Sequence, residues 1–432
     1  MLEILQETND FIWGFPLLFI LMGTHIYFTC KLHMPQRKLL YAIKLSLGME
    51  NGGDKNLSSF STLATTLAAT LGTGNIIGVS TAVALGGPGA IFWCWITGIL
   101  GMATAYGECY LSVLFRTRQK NGVYAGGPMY VLRNGLHNKT LGTFYALCTL
   151  FAAFGVGCTT QANSVSQAAE TSFHLSPHLV GIALAVMTGI VILGGVKVIG
   201  SLCERVVPAM AFVYLFGCIL LLILYRRQLP QACLWIIKDA FSFSSIAGGF
   251  VGSTLQLSLR YGIARGLFTN EAGIGTSAIA AAASGVCDPK QQAYISMTAV
   301  FWDTVVMCLL TGLVIVSNML FDPASIQNIP STGLTSAAFT HLPYVGDAFL
   351  TISLMMFAIT TLIGWSYFGE KATEYLVGES GIPYYKLFYI VMIYFGAIIP
   401  MNIVWECTDL INALMVVPNV LALYLLRRHI RS

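Results

Sequence analysis

Inside the apolar run Thr66-Leu67-Ala68-Ala69-Thr70-Leu71-Gly72-Thr73-Gly74-Asn75-Ile76-Ile77-Gly78, four consecutive central residues disfavour a helix. Two glycines one apart cost roughly 1 kcal/mol each relative to alanine, and threonine and asparagine offer the backbone competing hydrogen bonds. The helix is therefore expected to open at 72–75. Opened backbone at bilayer depth is tolerated only where protein buries it or where it lines a watery cavity. Transporters hold polar solutes with such discontinuous helices near the midplane. Read alone, Gly74-x-x-x-Gly78 is equally compatible with a close helix-packing seam. A second stretch, 262–275, carries Gly262, Gly266, Gly273 and Gly275 among Arg265, Thr269, Asn270 and Glu271, and is expected to interrupt another apolar segment. Its alternative reading is a loop followed by an amphipathic alanine-rich helix at 278–284. Glu108, Glu271 and Asp303 add carboxylates to membrane-like surroundings, where such groups are functional candidates. Gate or scaffold roles suit each of them equally, and none is assigned to a solute.

The elements that must position these groups follow from composition. Of 432 residues, 56% are hydrophobic and 10% charged, and the mean hydropathy is +0.73. That balance describes a polytopic membrane protein embedded in a lipid bilayer. The net charge of +4 comes from short basic blocks beside apolar spans, which read as topology signals and not as a nucleic-acid surface. Eleven cysteines are scattered without C-x-x-C or metal-ligand spacing. No basic region precedes the first apolar run, so no removable signal peptide is expected.

Apolar runs of spanning length fall at 11–30, 61–83, 90–115, 143–170, 179–195 and 206–225, then at 246–285, 293–320, 346–369, 384–400 and 405–426. Eighteen of the 23 Lys and Arg residues lie in one set of alternate loops, against three in the other set and two within 246–285. By the positive-inside rule the N-terminus is expected outside and the C-terminus in the cytoplasm of a cell (inner) membrane. Without the extra N-terminal helix at 11–30, the remaining spans divide into five-helix halves at 61–225 and 246–426. An odd number per half inverts one half relative to the other, and the first helix of each should then be discontinuous. The expected fold class is all-α, with about eleven transmembrane helices in one transporter domain over 1–432.

Gly72-Thr-Gly-Asn-Ile-Ile-Gly, Gly86-Gly-Pro-Gly-Ala-Ile-Phe-Trp, Gly126-Gly-Pro-Met-Tyr, Arg265-Gly-Leu-Phe-Thr-Asn-Glu-Ala-Gly, Val300-Phe-Trp-Asp-Thr and Gly364-Trp-Ser-Tyr-Phe-Gly-Glu-Lys strongly resemble the alanine or glycine:cation symporters, also called sodium:alanine symporters. The likeness runs from about residue 11 to about residue 425. It implies a leucine-transporter-type fold and inward movement of small neutral amino acids with Na+, or in some members H+, and no organic cofactor. The chain departs from the family pattern at Cys158, where Asn is usual, at Thr269 for Ser, and at Ala278 and Ala281 for Pro and His. Cys158, three residues before Gln161, is expected on the same helical face and so to bear on selectivity.

A zwitterionic amino acid needs donors for its carboxylate, acceptors for its ammonium and a wall for its side chain. Freed N–H groups of Thr73 and Gly74, at the start of a half-helix, suit the carboxylate, with Asn75 supporting the turn or reaching a ligand. Phe268 and the carbonyls around Thr269 and Asn270 would face them from the second break. Gln161 can donate and accept, although an interhelical hydrogen bond would equally explain it. The resemblance makes Trp365 a pocket wall limiting side-chain size. By analogy with the wider fold, the carbonyls of Ala68, Leu71 and Phe357 and the hydroxyls of Thr360 and Thr361 form an Na+ site; without that analogy, the threonines would simply bond the preceding turn. Other classes fare less well. The sequence holds no H-E-x-x-H, G-x-S-x-G or clustered Asp pair for a membrane enzyme, while H+-coupled symport and a passive channel remain alternatives.

Overall fold

A computed structural model describes residues 2–48, 57–119, 122–242, 255–327, 329–343, 346–399 and 402–431. Each apolar run read from the sequence carries helix. Among the described residues, seven helices are long and apolar enough to cross a membrane singly, and nine if two bent pairs each count as one span. The first bent pair, Pro16–Lys31 with Pro35–Leu47, turns by 64° through His33 and Met34, both with left-handed backbone. The second, Ser59–Thr70 with Thr73–Gly86, turns by 62° where the sequence predicts an opening.

Polarity is distributed from the inside out. The helix Ser59–Thr70 is rich in serine and threonine yet buried at every position but Phe60. Its threonine hydroxyls are satisfied locally: Thr62, Thr65, Thr66 and Thr70 each donate to the carbonyl four residues back, which lets these side chains sit in a dry interior. The apolar helices Pro177–Leu193 and Val196–Leu224 instead expose Ile182, Ile190, Phe212 and Phe216, as lipid-facing helices should. The long helix Gly346–Val377 packs against Ser59–Thr70, Lys139–Phe154 and Thr160–Phe173.

The second interruption is narrower than the glycine-rich stretch suggested. Leu255–Asn270 is continuous helix, and residues 243–254, which begin the expected 246–285 segment, lie outside the described residues. Gly262 and Gly266 do not break this helix. A methyl group on either would collide with the helix Gly89–Leu114 at Ala90, Cys94 or Thr97, so these glycines admit close backbone approach. The chain opens only at 271–275 and resumes as Thr276–Ala282. All of Thr276–Ala282 is buried, so the alanine-rich piece is an interior half-helix and not an amphipathic surface one.

Two of the spans contain π-helical turns: Gly155–Thr159 within Lys139–Phe173, and Phe301–Cys308 within Pro289–Phe321. Each carries a residue group that the site uses.

Candidate functional site

At the first break the backbone changes partners in a defined order. Leu71 N–H still donates to Leu67 (2.8 Å), but Gly72 N–H, which a continuing helix would give to Ala68, donates to Asn75 Oδ1 at 3.1 Å. Asn75 N–H returns to the Gly72 carbonyl at 3.3 Å. The other end of the Asn75 amide donates to Asp303 Oδ1 (2.8 Å) and to the Asp303 carbonyl (3.2 Å). Asn75 is thus used at both ends, and of its two expected roles the structure displays support of the turn.

The half-helix ending at Leu71 presents its negative dipole end to Gly346–Val377. Thr361 Oγ1 lies 3.3 Å from the Leu71 carbonyl and 2.9 Å from the Phe357 carbonyl. Three of the five expected Na+ ligands therefore meet at one point. Thr360 reaches the same Phe357 carbonyl (2.9 Å), but its hydroxyl also contacts the Met356 carbonyl (3.1 Å) and Met210 Sδ (3.3 Å). Ala68 is fully buried on the preceding turn.

The second break bends through left-handed geometry at Glu271, Gly273 and Gly275, with φ of 53°, 96° and 93°. That region is uncommon for a non-glycine residue. It is held from several sides. Asn270 Oδ1 accepts from Ala272 N–H (3.0 Å), Glu108 Oε1 accepts from Gly273 N–H (2.8 Å), and Asn419 donates both to Glu108 (2.6 Å) and to the Gly273 carbonyl (2.8 Å). Tyr145 donates to the Ile274 carbonyl (2.8 Å), and the Thr276 hydroxyl bonds the Glu271 carboxylate.

The breaks meet through small residues. A methyl group on Gly74 would come within 2.8 Å of Thr269 Cγ2, whose hydroxyl donates to the Arg265 and Gly266 carbonyls at 3.0 Å. Thr73 is buried beside Gly74. Phe268 is half-buried, with the Arg265 guanidinium 5.9 Å from its ring centre. Trp365 is buried against Gly157, where a side chain would collide with the indole. Gly157 lies one turn before Gln161, which donates to the Val156 carbonyl at 3.2 Å.

Among the described residues, three of the expected solute contacts hold a buried polar atom with no hydrogen-bond partner within 3.5 Å: Gln161 Oε1, Asn270 Nδ2 and Trp365 Nε1, the last of which faces the Glu271 carboxylate from beyond that distance. Leaving such an atom unpaired costs about 1–3 kcal/mol, and in native proteins it calls for an unseen water, ion or ligand. One acceptor and two donors are complementary to an ammonium and a carboxylate. Cys158, by contrast, sits in the π-helical turn, and its thiol points to the Tyr389 carbonyl at 3.6 Å. Gln161 follows in the regular α-helix Thr160–Phe173. Ala278 and Ala281 pack with Cys109.

The braces were only partly visible beforehand. An acid within an apolar span is conspicuous, which marks Glu108, Glu271 and Asp303 without giving them a role; the structure makes each a hydrogen-bond partner of a break. Asn419 and Tyr145 carried no comparable signal, because their targets are backbone groups 146 and 129 residues away.

Nearly all-helical architecture in which, among the described residues, membrane helices open at two contacting points is that of the secondary transporters. The chain is a member of the sodium:alanine symporter family, which it matches over residues 1–432. It is 41% identical over 431 residues to the sodium/alanine symporter AgcS of Methanococcus maripaludis, covering 98% of this chain and 94% of that one. The probable sodium/glutamine symporter GlnT of Bacillus subtilis is 33% identical, over 99% of this chain and 88% of its own. A solved Na+-coupled sialic acid symporter shares the fold at a TM-score of 0.60 and 13% identity, covering 94% of this chain and 86% of that one. The protein is thus a multi-pass membrane transporter and not an enzyme, from a family of Na+-coupled amino-acid symporters.

Proposed function

We propose that this chain carries small neutral amino acids inward with Na+ by alternating access, with alanine and glycine as substrates and serine and glutamine as further candidates. The observation that carries the reading is the set of unpartnered buried atoms on Gln161, Asn270 and Trp365. The amino-acid carboxylate takes the Thr73 and Gly74 N–H groups with the Asn270 and Trp365 donors. The ammonium takes Gln161 and the carbonyls near Thr269. Trp365 limits the side chain, and Phe268 supplies apolar surface.

Na+ is held where the dipole of Ser59–Thr70 ends, by Leu71, Phe357 and Thr361, with Thr360 and Ala68 completing the shell. The substrate and ion sites would thus share the first break, so that binding of either favours the other. The two breaks head inverted five-helix repeats at 61–225 and 246–426, behind the helix at 11–30. The protein sits in the cell (inner) membrane with its N-terminus outside and C-terminus in the cytoplasm.

The test is competition of labelled alanine uptake in proteoliposomes by a panel of amino acids, with Na+ or choline outside. Accumulation that needs Na+ and is competed by glycine supports the reading. Accumulation in choline driven by an imposed pH gradient would replace it with H+ coupling, the reading favoured by the unpartnered buried Oε2 of Glu108. Equilibration without accumulation would mean a channel. For orientation, Arg133→Cys and Lys238→Cys place thiols at exposed positions. Only the second should react with impermeant maleimide in intact cells.

A further inference from the structure

Beside the 64° bend after the first membrane helix lies a cleft of about 420 Å³ lined by Lys38, Tyr41, Asp288, Lys290, Gln291 and Tyr294. We infer that this cleft seats the phosphate headgroup of an anionic phospholipid.

The chemistry is that of a small anion held by two ammonium groups over an aromatic floor. Lys38 comes from the bend and Lys290 from the start of the helix Pro289–Val300, so the two cations converge from segments some 250 residues apart. Lys38 Nζ stands 5.5 Å from the centre of the Tyr294 ring, and Tyr41 meets the same ring edge-on at 5.7 Å. Both contacts fix the cleft's shape. Among the described residues Asp288 is the one carboxylate in the lining, and it is directed at the helix start: its Oδ1 accepts from Lys290 N–H at 2.9 Å. Tyr294 is 2% exposed, and among the described residues its hydroxyl has no partner.

A lipid, as opposed to free phosphate, is indicated by what adjoins the cleft. The short helix Leu39–Leu47 exposes Leu40 (78%), Tyr41 (53%) and Leu47 (65%) next to the two lysines. Apolar side chains beside basic ones at a membrane boundary suit acyl chains below and a phosphate above. Occupancy also has a route to transport. Tyr294 and Asp303 lie on one continuous span, Pro289–Phe321, and Asp303 braces Asn75 at the first break. A headgroup tying Leu39–Leu47 to that span steadies the helix which holds the brace.

The experiment uses the full-length protein. Native mass spectrometry of purified protein exposed to phosphatidylglycerol or phosphatidylcholine should show phosphatidylglycerol retained preferentially, with the preference lost in Lys38→Gln/Lys290→Gln and kept in Lys38→Arg/Lys290→Arg. Alanine uptake in phosphatidylcholine vesicles should rise several-fold when phosphatidylglycerol is added, for wild type and the Arg pair but not for the Gln pair. The unfolding midpoint of each variant in detergent separates headgroup loss from misfolding, and the Arg pair carries the test if the Gln pair does not fold. Equal phosphatidylglycerol retention by the Gln pair and wild type would overturn the inference. So would stimulation of phosphatidylcholine vesicles by inorganic phosphate alone, which would assign the cleft to a soluble anion.

Discussion

The two breaks solve the same problem with different backbone. At 72–75 no residue takes a left-handed conformation; the helix stops because Asn75 Oδ1 captures the Gly72 N–H. At 271–275 the chain turns through Glu271, Gly273 and Gly275, all left-handed. The first break leaves the Leu71 carbonyl facing the Thr361 hydroxyl. In the second, Asn419 takes the Gly273 carbonyl and Tyr145 that of Ile274. An opening with few backbone demands can exchange a protein partner for an ion or solute, whereas one bound on several sides can only be moved as a unit. On the proposed function, the contrast gives ligand exchange to the first break and a rigid frame to the second.

The largest effect should come from glycine replacement at the rigid break. Gly273→Ala forces a side chain into φ 96° and onto Leu21, at about 1–2 kcal/mol for the backbone alone. Yield, unfolding midpoint and alanine uptake should all fall, with uptake down by more than tenfold. Gly72→Ala, at φ −132° with its methyl 2.9 Å from Thr361 Oγ1, should spare the midpoint and raise the Na+ concentration needed for half-maximal uptake. Equal losses of stability would erase the contrast.

Asp303→Ala comes next, because it removes the shortest bond of the buried Asn75 amide and leaves it only the longer contacts to the Asp303 carbonyl and Cys308 Sγ, a loss of about 1–3 kcal/mol. Uptake should fall roughly tenfold, and Asp303→Asn, which keeps an acceptor, should lie between it and wild type. Initial rates normalised to membrane-inserted protein measure this, and wild-type rates in Asp303→Ala would mean that the amide does not hold the opening.

Thr361→Ala should shift the Na+ activation curve by about tenfold, as expected for losing about 1.4 kcal/mol of ligand energy, with uptake largely recovering at high Na+. Thr360→Ala should shift it less, since that hydroxyl also faces Met210. A variant that merely misfolds would lower the maximal rate at every Na+ concentration with choline as the replacing cation. Unshifted curves in both variants would put the ion elsewhere. The smallest effect on alanine itself is expected for Trp365→Ala, which should let leucine or glutamine compete while the Na+ curve stays in place.

What the sequence determined by itself was the set of properties carried by local composition. Spanning segments are legible because a bilayer demands about 20 apolar residues in a row. The position of the first break is legible because Gly72, Thr73, Gly74 and Asn75 are adjacent and each weakens a helix in its own right. The family is legible because its motifs are contiguous. Tertiary structure decided whatever depends on a partner distant in sequence. Gly262 and Gly273 look alike in the chain, yet the first lies in a continuous helix against Ala90 and the second in a left-handed turn bound by Glu108 and Asn419. Thr360 and Thr361 are neighbours of one type, and only the direction of each hydroxyl separates the one on Met210 from the one on Leu71. Cys158 points its thiol at the Tyr389 carbonyl, 231 residues away in the chain. A glycine's role is set by what approaches it and a hydroxyl's by what it points at, and neither is written in the order of residues.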